Sequence, residues 1–238
     1  MLSTLLETLS ALVFPAVCEI CGVAIDPNPP LGVCRGCQSE VKPIAPPHCP
    51  GCGRTLIGIM PRCAECQTEA SAFDRAYACA VYEGTIRRLI HAFKFENRKY
   101  LKHFFVKMMT EFMNSHLTAA TVDGILPVPM DNNRRLERGF NQSELISLEI
   151  SKIFGIPHSA GNLIQRRPGA IQSDLTKNQR RLNVKGAFLV RNADEFHSKR
   201  LLLIDDILTT GYTASECAKM LKKAGAVSVT VLALARGI

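Results

Sequence analysis

Two adjacent carboxylates, Asp205 and Asp206, follow four apolar residues that predict a buried strand. A short loop rich in threonine comes next, and then a helix. The backbone N–H groups and hydroxyls of such a loop can surround a phosphate, because Gly211 lets the backbone approach closely and the helix N-terminus favours negative charge. The carboxylates are then placed to hold two ribose hydroxyls, although an ordinary strand-to-helix turn is the alternative. The predicted sugar-phosphate loop consists of Thr209, Thr210, Gly211, Tyr212 and Thr213.

Eight of the ten cysteines form four Cys-x-x-Cys pairs near the N-terminus. Each pair presents two thiolates to one tetrahedral ion, so four pairs predict two zinc sites of four cysteines each. Sequential pairing is the simplest arrangement, and a crossed pairing also fits the spacing. A complete shell of four thiolates leaves no open position for chemistry, so both zinc ions are expected to be structural. The predicted ligands are Cys18, Cys21, Cys34, Cys37, Cys49, Cys52, Cys63 and Cys66.

Three arginines, Arg134, Arg135 and Arg138, follow a predicted strand that ends in Pro127-Val128-Pro129. Guanidinium groups near a strand end can bind pyrophosphate through bidentate contacts, and a solvated helix start is the alternative. The polar, basic stretch at 165–183 is long for a loop and predicts a mobile flap. Lys94 ends a predicted helix and is interpreted as a surface lysine, with a contact to the anionic site as the second interpretation.

The charge of the chain is unevenly placed. The formal charge is +8; residues 1–70 contribute −2 and residues 71–238 contribute +10. Two Zn²⁺ ions on eight thiolates would lower the total to about +4. The positive C-terminal part favours polyanions, either a phosphorylated sugar and pyrophosphate or a nucleic acid, and a solvated basic surface is the alternative.

The alternation of apolar patterns predicts a largely parallel, doubly wound α/β sheet preceded by a small zinc module. The zinc module, with a short amphipathic helix at 1–17, is expected over 1–70, and the α/β domain over 71–238. No apolar run is long enough to span a membrane, and no basic segment of a secretory signal precedes Glu7. Thr213 and Glu216 have capping-box spacing, which predicts a helix start there. Strands are predicted at 77–82, 122–128, 200–205 and 227–234, with short β-rich segments near 186–190, and helices at 86–93, 101–112, 141–154 and 213–224.

The segment from Asp205 to Thr213 resembles the PRPP-binding signature of type I phosphoribosyltransferases. The whole chain resembles the ComF family, in which a double zinc ribbon precedes such a domain. Asn97 stands where a glycine is frequent in that family. Besides the cysteine pairs and the 205–213 segment, the strings that carry the resemblance are Tyr82-Glu83-Gly84, Lys94-Phe95, Pro127-Val128-Pro129, Arg138-Gly139-Phe140-Asn141-Gln142 and Arg181-Leu182-Asn183-Val184-Lys185-Gly186-Ala187-Phe188.

The resemblance implies a PRPP-binding, phosphoribosyltransferase-type protein that acts in DNA uptake and natural transformation. It implies zinc and magnesium as cofactors, and incoming single-stranded DNA and a ComFA-like helicase as partners. It also implies a location in the bacterial cytoplasm, with peripheral association at the inner membrane face as a further expectation. Asp205 and Asp206 would be the catalytic residues that hold the ribose, the 209–213 loop would bind the 5′-phosphate, and the arginines would meet pyrophosphate.

Two other functions fit the same residues. One is a non-enzymatic adaptor that binds PRPP, a nucleotide or single-stranded DNA and docks a partner through the ribbons; few exposed aromatic residues are evident for base stacking. The other is a nucleobase-salvage phosphoribosyltransferase, against which the docking module argues weakly. The sequence identifies no acceptor base.

Overall fold

The computed structural model of the chain describes residues 16–26, 28, 31–56, 58, 60–167, 182 and 184–237. The predicted helix at 1–17 lies outside the described residues except at its last two positions, and so does the predicted flap between residues 168 and 181. No helix within the described ranges is long and apolar enough to cross a membrane.

Four parallel strands form the central sheet in the order β1-β6-β5-β2. The two inner strands, β5 and β6, are near-continuous apolar runs, as expected for parallel strands that are covered on both faces. The strands span Arg75–Val81 (β1), Gly124–Pro127 (β2), Arg200–Leu208 (β5) and Ser228–Arg236 (β6). A separate antiparallel pair joins Leu163–Gln165 (β3) to Phe188–Val190 (β4). The predicted doubly wound parallel sheet is confirmed.

Helices cover both faces of this sheet. Helices α3 (Gly84–Phe95), α4 (Lys102–His116) and α6 (Gln142–Phe154) pack with Leu202 and Ile204 of β5 into one apolar cluster. Helix α7 (Tyr212–Lys223) packs with Leu201 and Leu203 into a second cluster on the opposite face. The remaining helical segments are α1 (Arg35–Ser39), α2 (Ala64–Thr68), α5 (Asn132–Arg138) and 3-10 turns at Lys99–Leu101 and Ala119–Thr121.

Two predictions at the end of β5 are wrong in detail. The strand, predicted to end at residue 205, continues to Leu208 and pairs there with Arg236, so both carboxylates lie inside it. The capping box does not form, because α7 begins at Tyr212 with Gly211 as its N-cap. Glu216 then lies too far along the helix to cap it, and its carboxylate accepts a hydrogen bond from the Gly186 amide at 2.9 Å.

The zinc module lies along the outer edge of β1. The Ala76 amide donates to the Gly51 carbonyl at 3.0 Å, and the Val81 amide donates to the Lys42 carbonyl at 2.9 Å. These bonds satisfy backbone groups that an edge strand would otherwise expose. Cys18, Val33 and Cys37 also join the first apolar cluster of the sheet. The module is therefore packed into the α/β body rather than tethered to it.

Gly22 and Gly53 occupy the same place in their knuckles, directly after the second cysteine of a pair, and both have a φ near +71°. A Cβ on Gly22 would meet nothing within 4 Å, whereas a Cβ on Gly53 would lie 2.6 Å from the Ala76 carbonyl oxygen of β1. Only the second knuckle therefore requires glycine for its contact with the sheet.

We expect Gly53→Ala to lower the stability of the zinc-loaded protein by about 1–3 kcal/mol more than Gly22→Ala, because both carry the same left-handed backbone cost but only Gly53→Ala pushes the ribbon off β1. Thermal unfolding of the two variants, loaded with equal zinc, measures the difference. Equal destabilisation would mean that the knuckle does not press on the strand.

Candidate functional site

The four cysteine pairs form two clusters in sequential pairing. The first contains Cys18, Cys21, Cys34 and Cys37, the second contains Cys49, Cys52, Cys63 and Cys66, and within each cluster all sulfur atoms lie within 4.8 Å of one another. The Cys21 and Cys34 sulfurs are 3.7 Å apart, and those of Cys52 and Cys63 are 3.6 Å apart. Tetrahedral zinc with bonds of about 2.3 Å requires sulfur atoms about 3.8 Å apart, so both clusters fit the ion. The remaining cysteines pack against apolar neighbours, with Cys217 fully buried and Cys79 partly so.

The two carboxylates point to opposite faces of the sheet, since successive side chains of a strand alternate. Asp206 shares its face with Leu202 and Ile204, on the side of α3 and α6. Asp205 shares its face with Leu201 and Leu203, on the side of α7. The two carboxylates therefore lie on the two sides of β5, near its carboxyl end, and do not form one acidic surface.

Asp206 lies in a small group of charges. Its Oδ1 is 2.7 Å from Nζ of Lys94 at the end of α3, and both side chains are only 14% exposed. The negative charge of Asp206 also acts on the Arg138 guanidinium, although burial outweighs it and lowers the pKa of Arg138. Burial raises the pKa of the nearby Tyr82 phenol, and Asp206 adds to that rise. One carboxylate thus faces two cations and a phenol.

Asp205 is held in a less polar place. Burial raises the pKa of its carboxyl to about 7, and the like charge of Asp206 adds to the rise, against the opposing effects of Lys94 and of the Asp206 amide. That amide donates to Oδ1 of Asp205 at 2.8 Å. Asp205 can therefore exchange a proton near neutral pH.

The loop from Thr209 to Thr213 turns sharply at Gly211, whose φ is +78°. The Tyr212 amide, which opens α7, donates to the Thr210 hydroxyl at 3.5 Å, and the N-terminus of the helix favours negative charge. Tyr212 donates its hydroxyl to Glu69 of the zinc module at 3.2 Å, and Ser215 accepts the Ala72 amide at 2.9 Å. The ribbon therefore fixes the start of this helix.

The structure places the three predicted arginines differently. All lie on the seven-residue helix α5 or at its end. Arg138 stacks over the Phe95 ring at 4.6 Å. Arg134 forms an ion pair with Asp131 at 3.4 Å, and Arg135 pairs with Glu144 of α6 at 2.9 Å. Arg138 interacts electrostatically with Asp206.

Lys94 is the residue that the sequence interpretation undervalued, since it is an ion-pair partner of Asp206 and not a surface lysine. The sequence signal that could have indicated this role is the Lys94-Phe95 string at the end of α3, which is part of the resemblance to the ComF family. Phe95 itself is 60% exposed beside Arg138, an aromatic surface that the sequence did not reveal. Asn97 has a φ of +55°, which explains how asparagine replaces a frequent glycine there.

Comparison with known proteins identifies the family. The double zinc ribbon domain model matches residues 9–80. Competence protein F of Haemophilus influenzae is 31% identical over 211 residues, which cover 86% of this chain and 90% of that protein. The chain belongs to the ComF family.

A second ComF relative and a solved structure are also similar. DNA utilization protein YhgH of Escherichia coli K12 is 28% identical over 228 residues, covering 94% of this chain and 99% of that protein. A purine phosphoribosyltransferase from Pyrococcus horikoshii superposes with a TM-score of 0.37 at 17% identity, over 57% of this chain and 73% of that one. The relatives of this ComF chain are thus competence and DNA utilization proteins.

The raised pKa of Asp205 predicts a specific pH dependence of stability. An unfolded aspartate titrates near pH 4, so between about pH 4 and 7 the native state holds a proton that the unfolded state releases. Stability contributed by this group therefore falls as the pH rises through that window.

We expect Asp205→Asn, which resembles the protonated form, to be increasingly more stable than the native sequence from pH 5 to 8. Melting temperatures of both proteins across that range test it; a constant difference would show that Asp205 titrates normally.

Proposed function

We propose that this ComF protein binds PRPP and acts as a phosphoribosyltransferase-type protein in DNA uptake. The observation that carries the proposal is the arrangement at the end of β5. The two carboxylates are followed by a left-handed turn at Gly211 and by helix α7, which begins at Tyr212. The names of its relatives, competence and DNA utilization proteins, support an activity in the handling of DNA.

The 209–213 loop would hold the 5′-phosphate of the ligand. Leading N–H groups of α7 and the hydroxyls of Thr209, Thr210 and Thr213 supply the donors, and the helix dipole favours the negative charge. The turn at Gly211 packs on Phe73, where an added Cβ would lie 3.6 Å from the ring. The loop thus rests on apolar support beneath the phosphate position.

Asp205 and Asp206 would accept hydrogen bonds from the ribose hydroxyls. Because they lie on opposite faces of β5, the ribose would sit across the end of the strand and not on one side of it. Lys94 occupies Asp206 at 2.7 Å, so a ribose hydroxyl would have to share that carboxylate with the ammonium group or displace it. Arg138, on the same side, is the group best placed to meet pyrophosphate.

In a transfer reaction, the bond from ribose C1 to pyrophosphate would break as a bond from C1 to an acceptor forms. Pyrophosphate leaves with the bonding electron pair, and positive charge develops on the ribose. Asp205 and Asp206 would stabilise that charge while Arg138 stabilises the charge on the leaving group. Mg²⁺ would enter with PRPP and neutralise part of its charge.

The direct test is calorimetry of Mg²⁺–PRPP with the zinc-loaded protein. We expect Asp205→Asn and Asp206→Asn each to weaken binding about 10- to 100-fold, which is the cost of one hydrogen bond to a charged group. Asp123→Asn is the matched control, because Asp123 precedes β2 at the amino ends of the strands, away from Asp205 and Asp206, and pairs with Arg200 at 2.7 Å.

Equal PRPP affinity in all three variants and the native sequence would contradict the assignment of the carboxylates. Absence of PRPP binding by the folded, zinc-loaded native protein would overturn the proposal itself. Turnover is then measured as pyrophosphate release with candidate acceptors.

A second candidate function, binding of single-stranded DNA by a non-enzymatic adaptor, is favoured by Phe95. This exposed ring lies under the Arg138 guanidinium on a domain that carries a formal charge of +10 over residues 71–238. Bases stack on such aromatic and guanidinium surfaces with little regard to sequence.

Stacking on Phe95 predicts that Phe95→Ala weakens binding of a labelled oligothymidylate by about 1–3 kcal/mol, while affinity falls steeply with salt. Leu136→Ala is the control, since Leu136 is 83% exposed on the neighbouring helix α5 but cannot stack. Fluorescence anisotropy at two salt concentrations measures both effects. Equal losses in the two variants would remove Phe95 as a base platform.

A further inference from the structure

Arg236 is a buried cation that the proposed reaction does not use. It ends the central strand β6, pairs through its backbone with Leu208 on one side and Val81 on the other, and is only 3% exposed. Its Nε and Nη1 have no hydrogen-bond partner among the described residues. A buried guanidinium with two unsatisfied nitrogens is costly unless a negative group lies nearby.

The negative group is the second cysteine cluster. Arg236 lines a cleft of about 40 Å³ together with Cys52 and Cys66. Burial lowers the pKa of Arg236, while the thiolates of Cys52 and Cys63 and the carboxylate of Glu65 oppose that effect. Glu65 is itself paired with Arg54 at 2.7 Å, so these two charges offset each other. Glu69 also lines the cleft, where it accepts a hydrogen bond from the Tyr212 hydroxyl at 3.2 Å. Among the charges that oppose the effect of burial on Arg236, the thiolates of Cys52 and Cys63 act more strongly than Glu65.

The net charge of each zinc–thiolate centre also supports a pairing of Arg236 with the second cluster. Four thiolates around Zn²⁺ carry a net charge of −2. In the first cluster Cys21 is exposed, and water can solvate part of that charge. Both clusters have two buried cysteines and pack against the sheet, but in the second cluster the other two, Cys63 and Cys66, are partly buried and none is exposed. The second centre therefore needs a protein cation more than the first.

We propose that Arg236 is the buried counter-ion of the second zinc–thiolate centre and slows the loss of its zinc. Removing the charge would leave a dianionic centre uncompensated in the interior. The effect is confined to one of the two zinc ions, because Arg236 lies beside the second cluster alone among the described contacts. This inference does not depend on PRPP binding.

The test is the rate of zinc release to a chelating dye from the fully loaded protein. We expect Arg236→Met to release one of its two zinc ions about 10- to 100-fold faster, the usual effect of losing a group that supports metal ligands. Arg236→Lys, which keeps the charge, should recover much of the native rate. Arg200→Met is the matched control, since Arg200 pairs with Asp123 at the opposite end of the sheet. Alkylation of the released cysteines, mapped by mass spectrometry, should locate the fast zinc at Cys49 to Cys66.

Native release rates from both sites in folded Arg236→Met would overturn the proposal, and so would acceleration of the first site alone. A measurement on the native sequence covers the case in which the variants do not fold. Replacing Zn²⁺ with paramagnetic Co²⁺ should broaden or shift the Arg236 Nε–H resonance and leave that of Arg200, which is bonded to Asp123 at 2.9 Å, unchanged. An unperturbed Arg236 signal would show that the guanidinium does not face the metal.

Discussion

The desolvation of two carboxylates at the carboxyl end of the parallel sheet determines which charged groups must lie around them. Asp205 and Asp206 extend a buried strand whose preceding residues are fully covered, so their charges lose water and must be met by protein groups. Lys94 and Arg138 meet Asp206, while Asp205 has its pKa raised to about 7 by burial. An apolar strand could end here without any of these neighbours. The helices α3, α5 and α7 all contribute to this one edge, which explains why the elements converge there.

The zinc ribbons, which pack along β1, also contact the carboxyl end of the sheet. Their backbone completes the hydrogen bonding of β1, and the residues after α2 hold the start of α7 through Tyr212 and Ser215. Metal thus stabilises a small module that lacks its own apolar core, and the module in turn fixes the loop after β5. A ribbon built only for docking a partner would not need these contacts. Arg236 connects the two parts, since it belongs to the sheet and faces the thiolates.

The sequence predicted the fold well because its signals are strong and local. Apolar runs such as 201–204 and the repeated Cys-x-x-Cys pairs predicted the parallel sheet and two four-cysteine sites. The sequence left sequential and crossed pairing open, and the structure shows the sequential one. Contacts between distant residues were not predictable. The Lys94–Asp206 ion pair joins residues that are far apart in the chain, and the opposite orientations of Asp205 and Asp206 depend on β5 continuing to Leu208. The Thr213–Glu216 capping box had the right spacing, but helix α7 starts earlier and leaves Glu216 to bind the Gly186 amide.

A crystal structure of the zinc-loaded protein grown with saturating Mg²⁺ and PRPP would show directly whether the carboxyl end of β5 binds the sugar phosphate. We expect a 5′-phosphate within the 209–213 loop, ribose hydroxyls on Asp205 and Asp206, and Lys94 moved away from the 2.7 Å contact that it makes with Asp206. Pyrophosphate should lie against Arg138. A structure in which the loop holds no phosphate and Lys94 remains closed on Asp206 at saturating ligand would contradict this expectation.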